Sequence, residues 1–253
     1  MGRDSLEKTY LSIIIPAYRE ESRIIAALEA IEVHYRNAGL KYEVIVVVDG
    51  VRDRTGELVL NFSASRPQVR LLTNEKNLGK GGAVRRGMLA AEGEYILFTD
   101  ADMSTPISEA GKLLSFFSEG FDVVIASRRE KGAKISVFQP PLRRLAGWFF
   151  HNIRRGIILP RIKDTQCGFK CFTAAAAREI FSRSKIDGFV FDVEALAIAG
   201  GLGYRIKEVP VLWIDDRRTT LSATKHAGNI LIDLLRVKYR SMSGKYSFRK
   251  GKK

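Results

Sequence analysis

Cysteine is nearly absent from this 253-residue chain: Cys167 and Cys171 stand alone, too few for a disulfide framework. Their four-residue spacing also lacks the two further ligands of a structural zinc site, so both are expected as reduced thiols of a cytosolic protein. Histidine is as scarce. His34, His151 and His226 are too scattered to suggest a metal centre. Long apolar runs are missing too: residues 13–15 and 44–48 are strand-sized, far short of the roughly 20 residues of a membrane-spanning helix. No transmembrane segment is expected. The first ten residues carry Arg3, Asp4, Glu7 and Lys8 with no apolar core, unlike a secretory leader.

Positive charge is plentiful, but its placement matters more than the total of +14. Residues 128–163 hold ten Lys/Arg against one acid, and residues 236–253 hold eight against none. The two segments carry +9 and +8, which leaves the remainder at −3, an ordinary enzyme surface. A nucleic-acid-binding protein is the reading from another class that such a balance invites. It calls for aromatic residues interleaved with the basic runs, and the tail from residue 241 offers only Tyr246 and Phe248. No nucleic-acid partner is expected.

The length suits one α/β domain, taken as residues 1–240, with halves of about 10–127 and 128–225 and a basic, disordered tail over 241–253. In the first half, apolar runs at 11–15, 43–48, 69–72, 95–99 and 122–126 read as strands. Ile24, Ala27, Leu28 and Ile31, then Ala83, Met88 and Ala91, recur at helical spacing between them. Alternation of this kind predicts a doubly wound, Rossmann-like, mostly parallel sheet flanked by helices. The second half is less regular. Leu145, Trp148, Phe149, Ile153 and Ile157 predict a helix over 142–159, further helices start at Thr173 and Phe191, and 204–211 reads as a late strand. Residues 230–239 predict a C-terminal amphipathic helix.

Ligands of open α/β sheets sit beyond the carboxyl ends of the strands. Acidic side chains from three strand ends fall there: Glu20 after the first strand, Asp49 after the second, Asp100 and Asp102 after the fourth. Two carboxylates meeting at one turn repel unless a cation joins them, and hard oxygen ligands suit Mg²⁺ or Mn²⁺. A solvated turn closed by Ser104 and Pro106 is the other reading of an isolated Asp-x-Asp. The run Gly79-Lys80-Gly81-Gly82 is no phosphate-binding Walker loop, since Gly81 stands where that loop needs Ser or Thr. Its glycines instead allow backbone to approach a ligand at a helix start, with Lys80 as a phosphate contact or as a plain helix beginning.

Six motifs occur in order: Pro16-Ala17-Tyr18-Arg19-Glu20, Val48-Asp49-Gly50, Asn77-Leu78-Gly79-Lys80-Gly81-Gly82-Ala83, Thr99-Asp100-Ala101-Asp102, Ala126-Ser127-Arg128 and Asp164-Thr165-Gln166-Cys167-Gly168-Phe169-Lys170. Together they resemble family 2 glycosyltransferases over roughly residues 11–215. Within that family the chain is most similar to the dolichyl-phosphate glucosyl- and mannosyltransferases. The last motif, followed by Phe191-Asp192-Val193-Glu194, looks closest to the glucosyl branch. One departure is plain: the family often has two Asp before the glycine where this chain has Val48-Asp49-Gly50.

The resemblance implies a GT-A fold and inverting transfer of glucose from UDP-glucose to a polyprenyl phosphate, assisted by Mg²⁺ or Mn²⁺. Mannose transfer from GDP-mannose is the close alternative. A nucleotidyltransferase would need a glycine-rich loop after the first strand, which Ala17-Tyr18-Arg19-Glu20 does not supply. By the same resemblance Pro16, Tyr18, Glu20 and Asp49 border the nucleoside, with Asp49 accepting a base or ribose hydrogen bond. Asp102 ligates the ion directly, and Asp100 ligates it or acts through ribose or water. Arg128, with Arg143 or Arg144, faces the donor diphosphate or the lipid phosphate, where a guanidinium binds bidentately. Asp164 occupies the place of a general base, yet a phosphate acceptor is already ionised near neutral pH, so an orienting role is expected. Asp192 and Glu194 are expected to cap and solubilise their helix. Trp148, Phe149 and Phe150 with their arginines, and the helix over 230–239 with its basic tail, fit contact with lipid headgroups. The expected location is therefore cytoplasmic, peripheral on the cytoplasmic face of a membrane.

Overall fold

A computed structural model describes residues 8–136, 159–214 and 223–246. The first half runs β1 (Leu11–Ala17), α1 (Ile24–Tyr35), β2 (Tyr42–Asp49), α2 (Thr55–Ser63), β3 (Val69–Asn74), α3 (Lys80–Ala90), β4 (Tyr95–Thr99), α4 (Ala110–Leu114) and β5 (Val123–Ser127). After it come β6 (Lys134–Ile135), β7 (Phe169–Thr173), α5 (Ala174–Arg183), α6 (Phe191–Gly201), β8 (Ile206–Pro210), β9 (Leu212–Trp213) and α7 (Ala223–Met242). The expected helix over 142–159 lies outside the described residues.

Seven strands form one sheet in the order β3-β2-β1-β4-β7-β5-β8, while β6 and β9 make a separate pair. All neighbours in the large sheet are parallel except β7, which runs antiparallel to both β4 and β5. A strand from the second half therefore lies between two from the first. The expected halves share one sheet.

The sheet is covered on both faces because the apolar residues of its central strands fall on both faces and not on alternate positions alone. In β2, Val44, Val46 and Val48 point into one cluster with Ile24, Leu28 and Ile31 of α1 and Val59 of α2. Ile45 and Val47 point the other way, onto Ala83, Val84 and Met88 of α3 and Ile180 and Leu196 of α5 and α6. Period-two alternation thus assigns each helix its layer. Every fully buried aliphatic of this kind contributes about 1.5–3 kcal/mol.

Strand order 3-2-1-4 reverses between β1 and β4, which opens a crevice at their carboxyl ends. The only two non-glycine residues with positive φ among the described residues flank it: Arg19 (φ 58°) follows β1 and Met103 (φ 49°) follows β4. Backbone strain of about 1–3 kcal/mol per residue is thus stored at this sheet edge. Among the described residues no helix is long and apolar enough to cross a membrane.

The C-terminal segment is described to residue 246. α7 continues to Met242, and after a left-handed Gly244 (φ 68°) the Tyr246 ring is buried in the core.

Candidate active site

A cleft of about 830 Å³ occupies the crevice between β1 and β4. Pro16, Tyr18, Glu20, Asp49, Lys80, Asp100 and Asp102 all line it. Seven of the expected site residues are thereby brought together from four separate strand ends or loops.

Asp100 and Asp102 sit on the turn that leaves β4. The Asp100 backbone N–H donates to Gly168 O (3.2 Å), and a Cβ on Gly168 would overlap the Asp100 carboxylate. Asp102 Oδ1 accepts from Ser104 N (2.9 Å), and burial together with the Asp100 charge raises its pKa above the usual carboxylate value. Glu20 is raised as well, by burial first and by Asp102 and Asp100 in addition, against its pairing with Arg23 (2.7 Å). Three carboxylates therefore repel one another across the cleft. Lys80 Nζ reaches Asp100 Oδ1 at 2.6 Å and offsets part of that charge.

Such a site fits a hard divalent cation. Asp100 and Asp102 would supply two carboxylates, and among the described residues no third Asp, Glu, His or Cys joins them as a ligand group. Remaining positions would fall to water and phosphate oxygens, the usual partial protein coordination of Mg²⁺.

Asp49 is buried, and most of its carboxylate is engaged by protein. It accepts from Asn74 Nδ2 (2.8 Å), Leu78 N (2.9 Å) and Gly79 N (2.7 Å), which leaves about one of four lone-pair sites for a ribose or base. Its first effect is to hold the glycine turn. Gly79 adopts φ 100°, and a Cβ there or on Gly81 would strike the backbone of Ile186 and Asp187. The glycines thus admit the 186–187 backbone on one side, while Gly79 also lines the cleft. Asp187 O takes the N–H groups of Gly81 (2.7 Å) and Gly82 (3.3 Å), so two of the first donors of α3 are occupied.

Comparison with known proteins gives the family. The model for "Glycosyl transferase family 2" matches residues 12–183. The chain belongs to that family. It is 37% identical to a dolichyl-phosphate beta-glucosyltransferase of Trichomonas vaginalis over 86% of this chain and 68% of the relative. The protein of the same name from Homo sapiens is 32% identical over 96% of this chain and 79% of its own length. Among solved structures, glucosyl-3-phosphoglycerate synthase from Mycobacterium tuberculosis, in complex with Mn²⁺, UDP-glucose and phosphoglyceric acid, superposes with a TM-score of 0.68. It is 15% identical, and the match covers 96% of this chain and 81% of that one. Mannosyl-3-phosphoglycerate synthase from Rubrobacter xylanophilus gives a TM-score of 0.67 at 16% identity over 97% and 77%. The fold is that of the GT-A glycosyltransferases, and the protein is a glycosyltransferase.

Within the family frame, Arg128 and Asp164 are not cleft-lining residues but partners. Arg128 Nε and Nη2 grip the two Asp164 oxygens at 2.7 and 2.9 Å, and the Arg128 and Gln166 N–H groups add to them. Burial works against the Asp164 charge, yet the guanidinium overrides it and holds the carboxyl well below the usual range. A carboxylate so stabilised is a poor proton acceptor, which favours the orienting role. Arg128 also stacks over Trp213 (5.3 Å) of β9. Arg143, Arg144 and the aromatic run 148–150 lie outside the described residues.

Asp192 and Glu194 do not solubilise α6; both are buried. Asp192 pairs with the equally buried Lys170 of β7 at 2.6 Å. Glu194 accepts from Lys185 N and Ile186 N (2.8 Å each) and from Tyr246 Oη (2.8 Å). The motif's last lysine and these acids brace the wall of the cleft from behind.

Sequence reasoning missed Arg23, Asn77, Phe189, Asn229, Asp233 and Arg236, which also line the cleft. Asn229, Asp233 and Arg236 belong to α7 and carried a signal, since their spacing of four and three places them on one helical side.

Proposed function

We propose that this glycosyltransferase moves glucose from UDP-glucose to a dolichyl-type polyprenyl phosphate, with inversion at the sugar. Its curated relatives carry the name dolichyl-phosphate beta-glucosyltransferase at 32–37% identity, and that similarity is the observation that bears most weight. The nucleoside would lie over Pro16 and Tyr18, with Glu20 and the remaining acceptor site of Asp49 toward the base and ribose. The diphosphate would then reach Lys80 and the Asp100-Ala101-Asp102 turn.

Asp100 and Asp102 would hold Mg²⁺ or Mn²⁺, Asp102 being the direct ligand because Lys80 already occupies an Asp100 oxygen. When bound, such an ion neutralises charge on a departing diphosphate. The chain's own contribution is positional. An acceptor phosphate oxygen forms the new bond to the anomeric carbon as the bond to the diphosphate breaks, and the electron pair leaves with the nucleoside diphosphate. No proton need be removed from an ionised phosphate monoester, in keeping with the Asp164 pairing. We place the protein at the cytoplasmic face of a membrane, where its basic segments meet anionic headgroups.

The test is direct. Labelled UDP-glucose, polyprenyl phosphate, Mn²⁺ and the protein should give label in the organic phase, and labelled GDP-mannose should not. Asp102→Ala should lower transfer at least 100-fold, about 2.7 kcal/mol in barrier, with the fold intact by circular dichroism. Full activity of that variant, or of the parent in excess EDTA, would overturn the metal assignment.

A further inference from the structure

Helix α7 has three faces. Leu234 and Val237 are buried against Ile186, Val190 and Val193. Asn229, Asp233 and Arg236 turn toward the cleft. The third face is apolar and open to solvent: Leu235 is 52% exposed, Tyr239 60% and Met242 78%, with Leu231 and Ile232 beside them. At about 100° per residue, Ile232, Leu235 and Tyr239 fall within a sector of about 60°. Ile232 also lines the cleft, so the apolar strip begins at the cleft rim and runs outward.

Charge on the same helix is equally directional. Asp233 is the one acid in α7, against Arg236, Lys238 and Arg240 along its second half. Three cations line the cleft, and two of them are committed inside it: Arg23 pairs with Glu20 at 2.7 Å and Lys80 with Asp100 at 2.6 Å. Arg236 differs. Its side chain is 61% exposed and, among the described residues, meets only Asp233, through Nη1 at 3.0 Å. Most of its five N–H donors therefore point to open space at the cleft mouth.

A guanidinium at the mouth, next to an apolar strip leading away from it, is complementary to an amphiphile with an anionic head. We propose that α7 is the acceptor subsite: Arg236 binds the phosphate of the polyprenyl phosphate, and its first isoprene units lie along Ile232, Leu235 and Tyr239. This rests on the acceptor class proposed above and assigns it a place. The occupant is the acceptor lipid itself and not a second copy of the chain.

The full-length protein is assayed with UDP-glucose and two acceptors, a long-chain polyprenyl phosphate in detergent and a short water-soluble isoprenyl phosphate. Arg236→Gln should raise KM about tenfold or more for both acceptors, while KM for UDP-glucose moves less than twofold. Arg236→Lys should recover part of the loss. Leu235→Gln should raise KM for the long acceptor and leave the short one within twofold. A shift in the UDP-glucose KM with Arg236→Gln would assign this residue to the donor and overturn the proposal, as would an unchanged acceptor KM. Sedimentation of the parent as a dimer that Leu235→Gln dissociates would mark the strip as a self-association face instead. Equilibrium binding of the short phosphate, without donor, keeps the two proposals separable. If the parent binds it and Arg236→Gln does not, the subsite stands even where no glucose is transferred.

Discussion

Arg128 and Asp164 show what a buried ion pair costs when only one half is removed. The pair is bidentate, with Asp164 buried and Arg128 about one quarter exposed (24%), so an Asp164 left alone would be an uncompensated charge. Asp164→Asn and Arg128→Met should each lower unfolding stability by about 3–5 kcal/mol, read from chemical denaturation. The double variant Arg128→Met/Asp164→Leu should lose less than the sum, and additive losses would refute the coupling. Gly168 makes a different point, because its missing side chain leaves room for the Asp100 carboxylate. Gly168→Ala should displace Asp100 and lower kcat at least tenfold. A variant of full activity would show that the turn can relax. All three residues stand in motifs quoted from the sequence, yet their contacts were not legible there. A carboxylate's partner lies 36 positions away, and a glycine's neighbour appears only when the chain is folded.

At the scale of elements, the strands and helices of the first half were readable because their apolar positions repeat with period two or near 3.6. β7 was not. Its Lys170 sits mid-strand and reads as a solvent-facing residue, whereas Asp192 of α6 neutralises it inside the core. α7 was legible as amphipathic, but not which faces would be covered, since Asn229, Asp233 and Arg236 look like ordinary surface until a cleft stands opposite them. Its far end depends on Tyr246, which ties the C-terminal segment to Glu194, and Glu194 in turn holds the 185–186 backbone beside the glycine turn. Tyr246→Phe should therefore cost about 1.5–3 kcal/mol of stability, the value of a hydrogen bond to a charged group. Because Gly188 and Phe189, just beyond that backbone, line the cleft, the same variant should raise KM for UDP-glucose more than it lowers kcat. A stability loss with unchanged KM would confine Tyr246 to packing.

Over the whole molecule, a basic protein carries an acidic active site. Glu20, Asp49, Asp100, Asp102 and Asp233 face the cleft against Arg23, Lys80 and Arg236, while the net charge of the chain is +14. The overall field draws anionic substrates inward, but the local excess of carboxylate repels a diphosphate once it arrives. Nucleotide binding should therefore be strongly coupled to a divalent cation, and that coupling is measurable without turnover. A ligand that binds only the folded state at 100 times its Kd stabilises by about 2.7 kcal/mol. In a domain of this size each kcal/mol raises Tm by roughly 2–4 °C. UDP with Mn²⁺ should thus raise Tm by about 5–10 °C, and UDP alone by far less at the same concentration. Asp102→Ala should remove most of the Mn²⁺-dependent part while leaving the small shift from UDP alone. Equal shifts with and without the ion would mean that Lys80 and Arg23 suffice to hold the diphosphate, and the carboxylate pair would then need another explanation.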